Sequence, residues 1–497
     1  MPATVIVNAR LVNEGRVTEG DLRIENGRIA AIGSGLQARA GEKVVDAAGR
    51  WLLPGMIDDQ VHFREPGLTH KGDIASESAA AVAGGLTSFM DMPNTSPPTL
   101  DSAALEDKYR RASGRAWGNY GFYHGASNDN LEAIRALDPK AAPGIKVFMG
   151  ASTGNMLVDN PETLDAIFRE APTPIITHCE DTPMIDANFA EFRAKYGDEG
   201  LVPSMHPDIR SREACIKSTR LALELARRHG TQLHVLHIST ADELALFEQG
   251  PLIRADGSRK RITAETCIHF TRFAREDYER LGNLIKCNPA IKDESDREAI
   301  INALASDILD VLATDHAPHT LEEKAKPYAA APSGLPLVQF ALNAALELVH
   351  EGRLTTAQVV QKFAHAPAQL FDVEQRGFLR EGYAADLVLI DDLDQVINAR
   401  RREAGGRVAP GARGSGEDAG RVGHAGRHLA QVVQRVAVGH LQLRQHLEVM
   451  AAGVFVGHAD AAVQLHRLLA DKAHGVAQLH LGAREGLASF GLGRPEL

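Results

Sequence analysis

The first 54 residues alternate apolar and polar positions in short runs, and from about residue 55 the pattern changes. The runs VIVNARLV, DLRIENG and RIAAIG are separated by Gly and Asn, which predicts β-strands joined by turns. Further along, strand-like apolar runs alternate with helical stretches such as PETLDAIFRE at 161–170 and EACIKSTRLALELARRHG at 213–230. This alternation indicates βαβ units and a parallel sheet.

Eight strand-like runs can be counted between residues 56 and 320. They are MIDDQVHF, LTSFMDMPN, NYGFYHGA, GIKVFMG, TPIITHCE, QLHVLHIS, RITAETCIHF and ILDVLATDHAPH. Eight is the strand count of a closed (β/α)8 barrel, which commonly takes ~250 residues. A last run, GFLREGYAADLVLID, is again typical of strands. We therefore predict an α/β fold, a TIM-type (β/α)8 barrel with a small β-domain built from the N-terminal segment and the chain after the barrel.

The pattern divides the chain into four parts. Residues 1–54 are expected to form the N-terminal part of the small β-domain, 55–370 the barrel, 371–397 the return to the small domain, and 398–497 an atypical tail rich in Arg, Gly and His. From residue 401 onwards the tail contains no Ile, Asn, Thr, Tyr, Trp or Cys, and it has eleven Arg against one Lys. One interpretation is that a frameshift produced this segment, and the alternative is a genuine Arg-rich extension.

The composition excludes several classes of protein. The 497 residues carry 54 Lys+Arg against 65 Asp+Glu, a net charge of −11, which argues against a nucleic acid or an anionic membrane as partner. There is no run of 18 apolar residues and no basic segment followed by an apolar one at the N-terminus. Four scattered cysteines suit neither a disulfide framework nor a CxxC zinc site. We expect a cytoplasmic protein.

Residues that can ligate a metal recur at the ends of the predicted strands, where chemistry collects in a (β/α)8 barrel. Neutral imidazole and carboxylate are donors that Zn²⁺ or another borderline divalent metal takes. Four such residues lie on separate strands: His62, His178, His237 and Asp315. A fifth strand carries Lys146, which is costly to bury as an ammonium ion but suits the site as a carbamate, an anionic bridging ligand. The pattern predicts a site for a divalent metal at the mouth of the barrel.

The remaining histidines of these strands are expected to be ordinary core residues with hydrogen-bond partners. They are His124, His206, His234 and His269. His234 lies three residues before His237, so on a regular strand the two side chains point to opposite faces and only one can enter the barrel. Asp58 is expected to support a metal ligand rather than to bind the metal itself.

The strand ends resemble those of dihydroorotases, which belong to the cyclic amidohydrolases together with hydantoinases and allantoinases. The matching segments occur in order up to about residue 393: QVHFREPG, DMPNT, KVFMG, HCED, HVLHIST, ETCIHF, NPAIK and ATDHAPH. The resemblance does not cover the tail. It implies a (β/α)8 barrel, one or two Zn²⁺ ions, and reversible hydrolysis of L-dihydroorotate to N-carbamoyl-L-aspartate in de novo pyrimidine biosynthesis.

The resemblance also implies a role for each matching residue. The implied metal ligands are His62, Lys146, His178, His237, Asp315 and Gln60. Asp315 would also move the proton. The implied substrate-binding residues are Arg64, Asn94 and His319 for the carboxylate and Asn288 for the ring. Gln60 departs from the family, which has the first His of an HxH pair here, and a neutral amide oxygen is a weaker ligand for zinc.

Three alternatives follow from these residues. A ring carboxylate requires a cation such as Arg64, whose planar fork suits it, whereas hydantoin and allantoin lack that group. The other interpretation of Arg64 is a solvent-facing side chain paired with Glu65. A close variant of the dihydroorotase hypothesis is another cyclic amidohydrolase, such as an allantoinase. Alternatively, the loss of a ligand at Gln60 indicates a catalytically silent subunit that scaffolds aspartate transcarbamoylase. In each case we expect a homo-oligomer with a site for a small-molecule substrate.

The tail gives the first testable prediction. If a frameshift produced residues 398–497, the natively expressed protein will differ in mass from the 497-residue sequence, because its last part is read in another frame. Intact-mass spectrometry of the native protein measures this. A mass equal to that of the full sequence would identify the tail as a genuine extension.

Overall fold

The computed structural model describes residues 3–150, 156–391 and 476–478. The N-terminal segment forms most of one sheet, from the strands β1 (Thr4–Asn13), β2 (Arg16–Glu25), β3 (Arg28–Gly33), β4 (Lys43–Asp46) and β5 (Trp51–Pro54). The order in the sheet is β5-β1-β2-β3, and β4 also pairs with β1. A two-residue turn joins β1 to β2, where Glu14 and Gly15 have φ of 47° and 75°. Positive φ at both positions is what a type I′ hairpin turn requires.

The barrel follows directly, and all its neighbouring strands are parallel. Its strands are β6 (Met56–Val61), β7 (Leu86–Asp91), β8 (Asn119–Phe122), β9 (His124–Gly125), β10 (Ile145–Phe148), β11 (Ile175–His178), β12 (Leu233–Val235), β13 (Ile262–Cys267) and β14 (Val311–Ala313). The third barrel strand is interrupted at Tyr123, so that β8 pairs with β7 and β9 with β10. The first strand meets the eighth through a bridge between Val61 and His316. The predicted (β/α)8 barrel is confirmed.

Helices connect the barrel strands and cover their outer face. They are α1 (Ile74–Ala83), α2 (Ser102–Ala112), α3 (Leu131–Arg135), α4 (Pro161–Glu170), α5 (Thr182–Tyr196), α6 (His206–Ile209), α7 (Arg212–His229), α8 (Ala241–Leu244), α9 (Asp277–Leu281), α10 (Glu294–Ala305), α11 (Leu321–Lys324), α12 (Ala341–His350), α13 (Thr356–Val360) and α14 (Ala366–Leu370). The Ser211 side chain caps the start of α7, and Gly230 ends it with φ of 68°, a left-handed conformation that favours glycine. None of the helices in the described ranges has the length and apolar character needed to cross a bilayer.

The chain after the barrel returns to the first sheet. β15 (Leu387–Ile390) lies antiparallel to β5, with Leu389 opposite Leu52, and β16 (Val476–Gln478) lies antiparallel to β15. The predicted small β-domain, built from both sides of the barrel, is therefore confirmed. The boundaries at 54/55, 370/371 and 397/398 stay predictions. Apart from β16, the predicted tail lies outside the described residues.

An apolar cluster fills the interior of the barrel below its mouth. It joins residues of five barrel strands to the segment around α14: Ile57, Met90, Met92, Tyr123, Ile176, Leu236, Ala368, Val373 and Phe378. All of these side chains are buried. The interior therefore contains a packed apolar core, as is usual for this fold, and the cavity forms at the carboxyl ends of the strands.

We predict that Leu389→Ala lowers the free energy of unfolding by about 2–5 kcal/mol, because this buried side chain joins β15 to the core of the small domain. Urea unfolding followed by circular dichroism measures the change. Val17→Ala on β2 is the control, since Val17 is 49% exposed and its loss should cost about 0.5 kcal/mol or less. Equal stability losses in the two variants would contradict the described packing.

Candidate functional site

The carboxyl ends of the barrel strands open into one cavity of about 880 Å³. It is lined by all ten residues for which the sequence predicts a role: Gln60, His62, Arg64, Asn94, Lys146, His178, His237, Asn288, Asp315 and His319. These residues are spread over more than 250 positions of the chain, and the fold brings them to a single mouth. Their individual roles are taken up under the proposed function.

His62 and Asp315 meet where the first and eighth barrel strands close. His62 Nε2 lies 3.1 Å from Asp315 Oδ1, and His62 Nδ1 lies 2.7 Å from Asn94 Oδ1. Since the Asn94 oxygen only accepts, Nδ1 carries the proton and Nε2 turns its lone pair towards the carboxylate. Burial lowers the pKa of His62. Burial alone would raise the pKa of Asp315, but the combined interactions with His62, His269 and Lys146 outweigh burial and lower it.

His178 and His237 form a second pair on the neighbouring side of the mouth. His178 Nδ1 lies 2.8 Å from His237 Nε2, and its Nε2 lies 2.8 Å from Glu180 Oε2. Burial lowers the pKa of both imidazoles, so both are neutral at pH 7. Burial would raise the pKa of Glu180, but the Arg210 guanidinium, which donates from Nε at 2.9 Å, and His178 together lower it. An ionised Glu180 holds the proton on His178 Nε2 and leaves Nδ1 as a lone-pair donor.

Lys146 lines the same cavity and has no hydrogen-bond partner among the described residues. Its Nζ is fully buried and 4.6 Å from the centroid of the Phe148 ring. Burial lowers the pKa of this amine to about 8, so a fraction is unprotonated near neutral pH. The unprotonated amine is the nucleophilic form, which is the form that can add carbon dioxide to give a carbamate. The orphaned Nζ therefore fits the sequence-based interpretation of Lys146.

These donors suit a divalent metal. Two imidazole nitrogens, His178 Nδ1 and His237 Nε2, lie 2.8 Å apart, a third imidazole nitrogen faces a carboxylate, and the nearby amine of Lys146 has a lowered pKa. Gln60 suits it less well. Its Nε2 donates to Asp315 Oδ1 at 3.1 Å, while its Oε1, the atom that would bind a metal, accepts from the Cys267 thiol at 3.5 Å.

Arg64 supplies a buried cation in the lining of the cavity. It is 8% exposed, and its guanidinium donates from Nε to the Pro318 carbonyl at 3.1 Å and contacts His319 Nε2 at 3.0 Å. Among the described residues no carboxylate forms an ion pair with it, since Glu65 pairs with Arg115 instead. The interpretation of Arg64 as a solvent-facing partner of Glu65 is therefore wrong. The buried guanidinium is left to bind an anion.

Other polar groups complete the cavity. Asn288 Oδ1 is buried and accepts no hydrogen bond from the described residues. A loop over 328–334 lines the opposite wall, and two buried lysines hold it. Lys286 Nζ donates to the carbonyls of Tyr328 and Ala331, and Lys324 Nζ donates to that of Gly334. Asn288 therefore offers an unused acceptor below a fixed loop.

Sequence reasoning missed Glu180 and Arg210. Glu180 follows His178 by two residues in HCED. A carboxylate two residues after a predicted metal ligand was the signal from which Glu180 could have been found. Arg210 lies 30 residues further on at the end of α6, and nothing local connects it with Glu180.

Two expectations about the other histidines were wrong. His124 and His269 are buried with neither ring nitrogen hydrogen-bonded within the described chain, whereas His206 and His234 have the partners expected of core residues. The strict alternation expected for His234 and His237 also fails. β12 ends at Val235, and His237 has a φ of 42°, so that both side chains reach the interior.

The fold and the cavity define a class of protein, a (β/α)8-barrel hydrolase whose mouth carries donors for a divalent metal. The sequence signature of the amidohydrolase family matches residues 51–409, and the chain belongs to this family. The chain is thus a hydrolase that acts on cyclic amides, of the dihydroorotase type.

Named relatives support the same class. A dihydroorotase of Halobacterium salinarum is 34% identical over 78% of this chain and 87% of its own length. An allantoinase of Bacillus velezensis is 30% identical over 78% of this chain and 84% of its own. The solved structure of an L-hydantoinase from Arthrobacter aurescens, at 28% identity, superimposes with a TM-score of 0.73 over 79% of this chain and 87% of the other.

We predict that Glu180→Gln weakens metal binding at the mouth by about 10- to 100-fold, because the neutral amide no longer orients His178 through a charged acceptor. Titration of the metal-free full chain with Zn²⁺ measures the affinity. Glu243→Gln is the matched control, since Glu243 is equally buried but accepts from Thr219 and Thr240 away from the cavity. An unchanged affinity in the Glu180 variant would remove this role.

Proposed function

We propose that the protein is a dihydroorotase, which interconverts L-dihydroorotate and N-carbamoyl-L-aspartate in de novo pyrimidine biosynthesis. The observation that carries the proposal is the buried Arg64 guanidinium without a carboxylate partner among the described residues. Dihydroorotate has a ring carboxylate that can pair with it, and hydantoin and allantoin do not. The dihydroorotase relatives, at 31–34% identity, are consistent with this choice.

The substrate would bind through groups that the protein leaves unpaired. Arg64 takes the carboxylate, with His319 in contact with its guanidinium and Asn94 in the lining of the same cavity. The unused Asn288 Oδ1 accepts from a ring N–H, which supplies the hydrogen bond that a buried acceptor requires. The substrate would therefore give a partner to two buried groups that are costly to leave unpaired, the Arg64 guanidinium and Asn288 Oδ1.

We propose Zn²⁺, as one or two ions, held by His62, His178, His237 and Asp315, with Lys146 as a bridging carbamate and Gln60 as a weak ligand at most. When bound, the metal supplies Lewis acidity, which polarises the ring carbonyl and makes water nucleophilic near pH 7. Asp315 takes the proton of the attacking water and delivers it to the ring nitrogen as the amide bond breaks. Gln60 and His62 both engage Oδ1 of Asp315, so Oδ2 is the oxygen that carries the proton.

We also propose a cytoplasmic location and assembly with further copies of the chain. All four cysteines, Cys179, Cys215, Cys267 and Cys287, are free and buried, which suits a reducing compartment. Aspartate transcarbamoylase is a further candidate partner, and co-purification of the two proteins at a defined ratio tests it.

A second candidate function is a catalytically silent subunit, favoured by the Gln60 amide nitrogen in a position where a metal ligand is expected. The full chain, purified with Zn²⁺ and without chelator, separates the candidates when it is assayed with L-dihydroorotate, N-carbamoyl-L-aspartate, allantoin and hydantoin. Turnover of the first two is expected. Hydrolysis of allantoin or hydantoin alone would contradict the proposal, and no turnover by the zinc-loaded chain would favour the silent subunit.

We predict that Arg64→Met lowers kcat/KM for L-dihydroorotate by about 10- to 100-fold, mainly through KM, because a charge-assisted pair with the carboxylate is lost. Steady-state kinetics measure this. Dihydrouracil, the same ring without the carboxylate, is the control substrate and should not be turned over more slowly by the variant. Arg115→Met, which removes an exposed guanidinium paired with Glu65, is the control variant. Equal effects on both substrates would show that Arg64 does not bind the carboxylate.

A further inference from the structure

A second group of metal-ligating side chains lies inside the barrel, below the mouth. Asp59 on β6, His234 on β12 and Glu265 on β13 have no exposed surface. The atoms through which they could bind a metal all lie within 4.8 Å of one another. β6 and β12 are not neighbours in the barrel, so Asp59 and His234 can meet only across its interior. None of the three residues lines the cavity at the mouth. We call this group the inner cluster.

The hydrogen bonds of His234 decide which ring nitrogen is available. His234 Nδ1 lies 2.8 Å from Thr263 Oγ1, and the Thr263 hydroxyl donates to the Leu233 carbonyl at 3.3 Å. The Thr263 oxygen therefore accepts from His234, which places the proton of a neutral ring on Nδ1. The lone pair on Nε2 then points at Glu265 Oε2, 3.1 Å away, and at Asp59 Oδ2, 3.4 Å away.

With a neutral His234, three acceptors converge on one point with no hydrogen-bond donor between them; burial would lower the pKa of this imidazole, but Asp59 and Glu265 outweigh burial and raise it to about 9. Asp59 has no other partner, because neither of its carboxylate oxygens accepts a hydrogen bond within the described chain. Glu265 Oε1 has only a long contact, 3.4 Å, with the backbone N–H of His237. Buried acceptors without a donor are costly, and two buried carboxylates without a counter-charge more so.

A divalent cation would resolve this conflict in charge and in distance. One proton on Nε2 would balance a single carboxylate, whereas a divalent ion balances both. Ligand atoms about 2.0–2.2 Å from one ion lie about 3.0–3.5 Å from each other, and the two measured separations, 3.1 and 3.4 Å, fall in this range. Thr263 Oγ1 accepts a hydrogen bond from Nδ1 of His234. The ring nitrogen of a metal-bound histidine that does not face the metal usually makes such a bond.

We propose that Asp59, His234 and Glu265 form a structural binding site for a divalent transition-metal cation, separate from the hydrolytic site at the mouth. Two carboxylates and one imidazole suit Zn²⁺ or Mn²⁺. The bound ion ties the first, sixth and seventh barrel strands together, and Glu265 links it to the backbone of His237. This inference does not depend on the proposed function, because it concerns residues outside the cavity.

Metal content tests the site. The full chain is expressed in medium with added Zn²⁺, and in parallel with added Mn²⁺, purified without chelator and analysed by mass spectrometry of the elements. We expect Asp59→Asn to contain one ion per chain fewer than the unchanged protein. Glu243→Gln is the matched control, a buried carboxylate that accepts from Thr219 and Thr240 outside both groups of ligands, and it should keep all ions. His178→Ala should lose metal at the mouth only, so that its combination with Asp59→Asn is additive.

Equal metal contents in Asp59→Asn and the unchanged protein would overturn the proposal and leave a proton on His234 as the occupant. If Asp59→Asn does not fold, anomalous diffraction from crystals of the unchanged protein at the zinc or manganese edge decides. A peak between the three donor atoms, apart from any at the mouth, supports the site. Peaks at the mouth alone would overturn it, and the hydrolytic function would be unaffected by that result.

Discussion

Closure of the barrel between its first and eighth strands is the constraint on which the site depends. The His62 amide donates to the His316 carbonyl at 2.7 Å, and Thr314 donates to Asp58 through its hydroxyl at 2.6 Å. These bonds join segments more than 250 residues apart and place His62 against Asp315. Without them the mouth would lose the contact between His62 and Asp315, whatever the remaining strands contributed.

The cavity combines burial with charges that the protein leaves uncompensated. Lys146 and Arg64 are both buried without an ion-pair partner in the described chain, whereas Glu180 is fully compensated by Arg210. The uncompensated cations line the cavity, whereas Glu180 lies outside the lining and contacts both His178 and Arg210. Burying an unpaired charge costs free energy, so such groups persist where a ligand supplies the missing partner. The arrangement therefore separates groups that bind from groups that orient.

Much of the fold and of the site could be predicted from the sequence because a barrel places every strand end at one mouth. Knowing that His178 and His237 end their strands was enough to bring them together. The pairing of Glu180 with Arg210 was not predictable, since it depends on where α6 packs and not on any local spacing. The direction of the Gln60 amide was equally inaccessible, because it is set by Asp315 on one side and Cys267 on the other.

Simple strand alternation failed at the two places where the barrel interior holds two layers of polar groups. The pairing of β6 with β7 shifts register between Asp58 and Val61, and this irregularity lets the consecutive residues Asp59 and Gln60 both turn inward. Asp59 reaches His234 in the lower layer, and Gln60 reaches Asp315 in the upper one. At the end of β12, the positive φ of His237 likewise allows His234 and His237 both to turn inward. A regular strand would have supplied only one layer, so the backbone irregularities are what allow an inner cluster and a mouth to be built from the same strands.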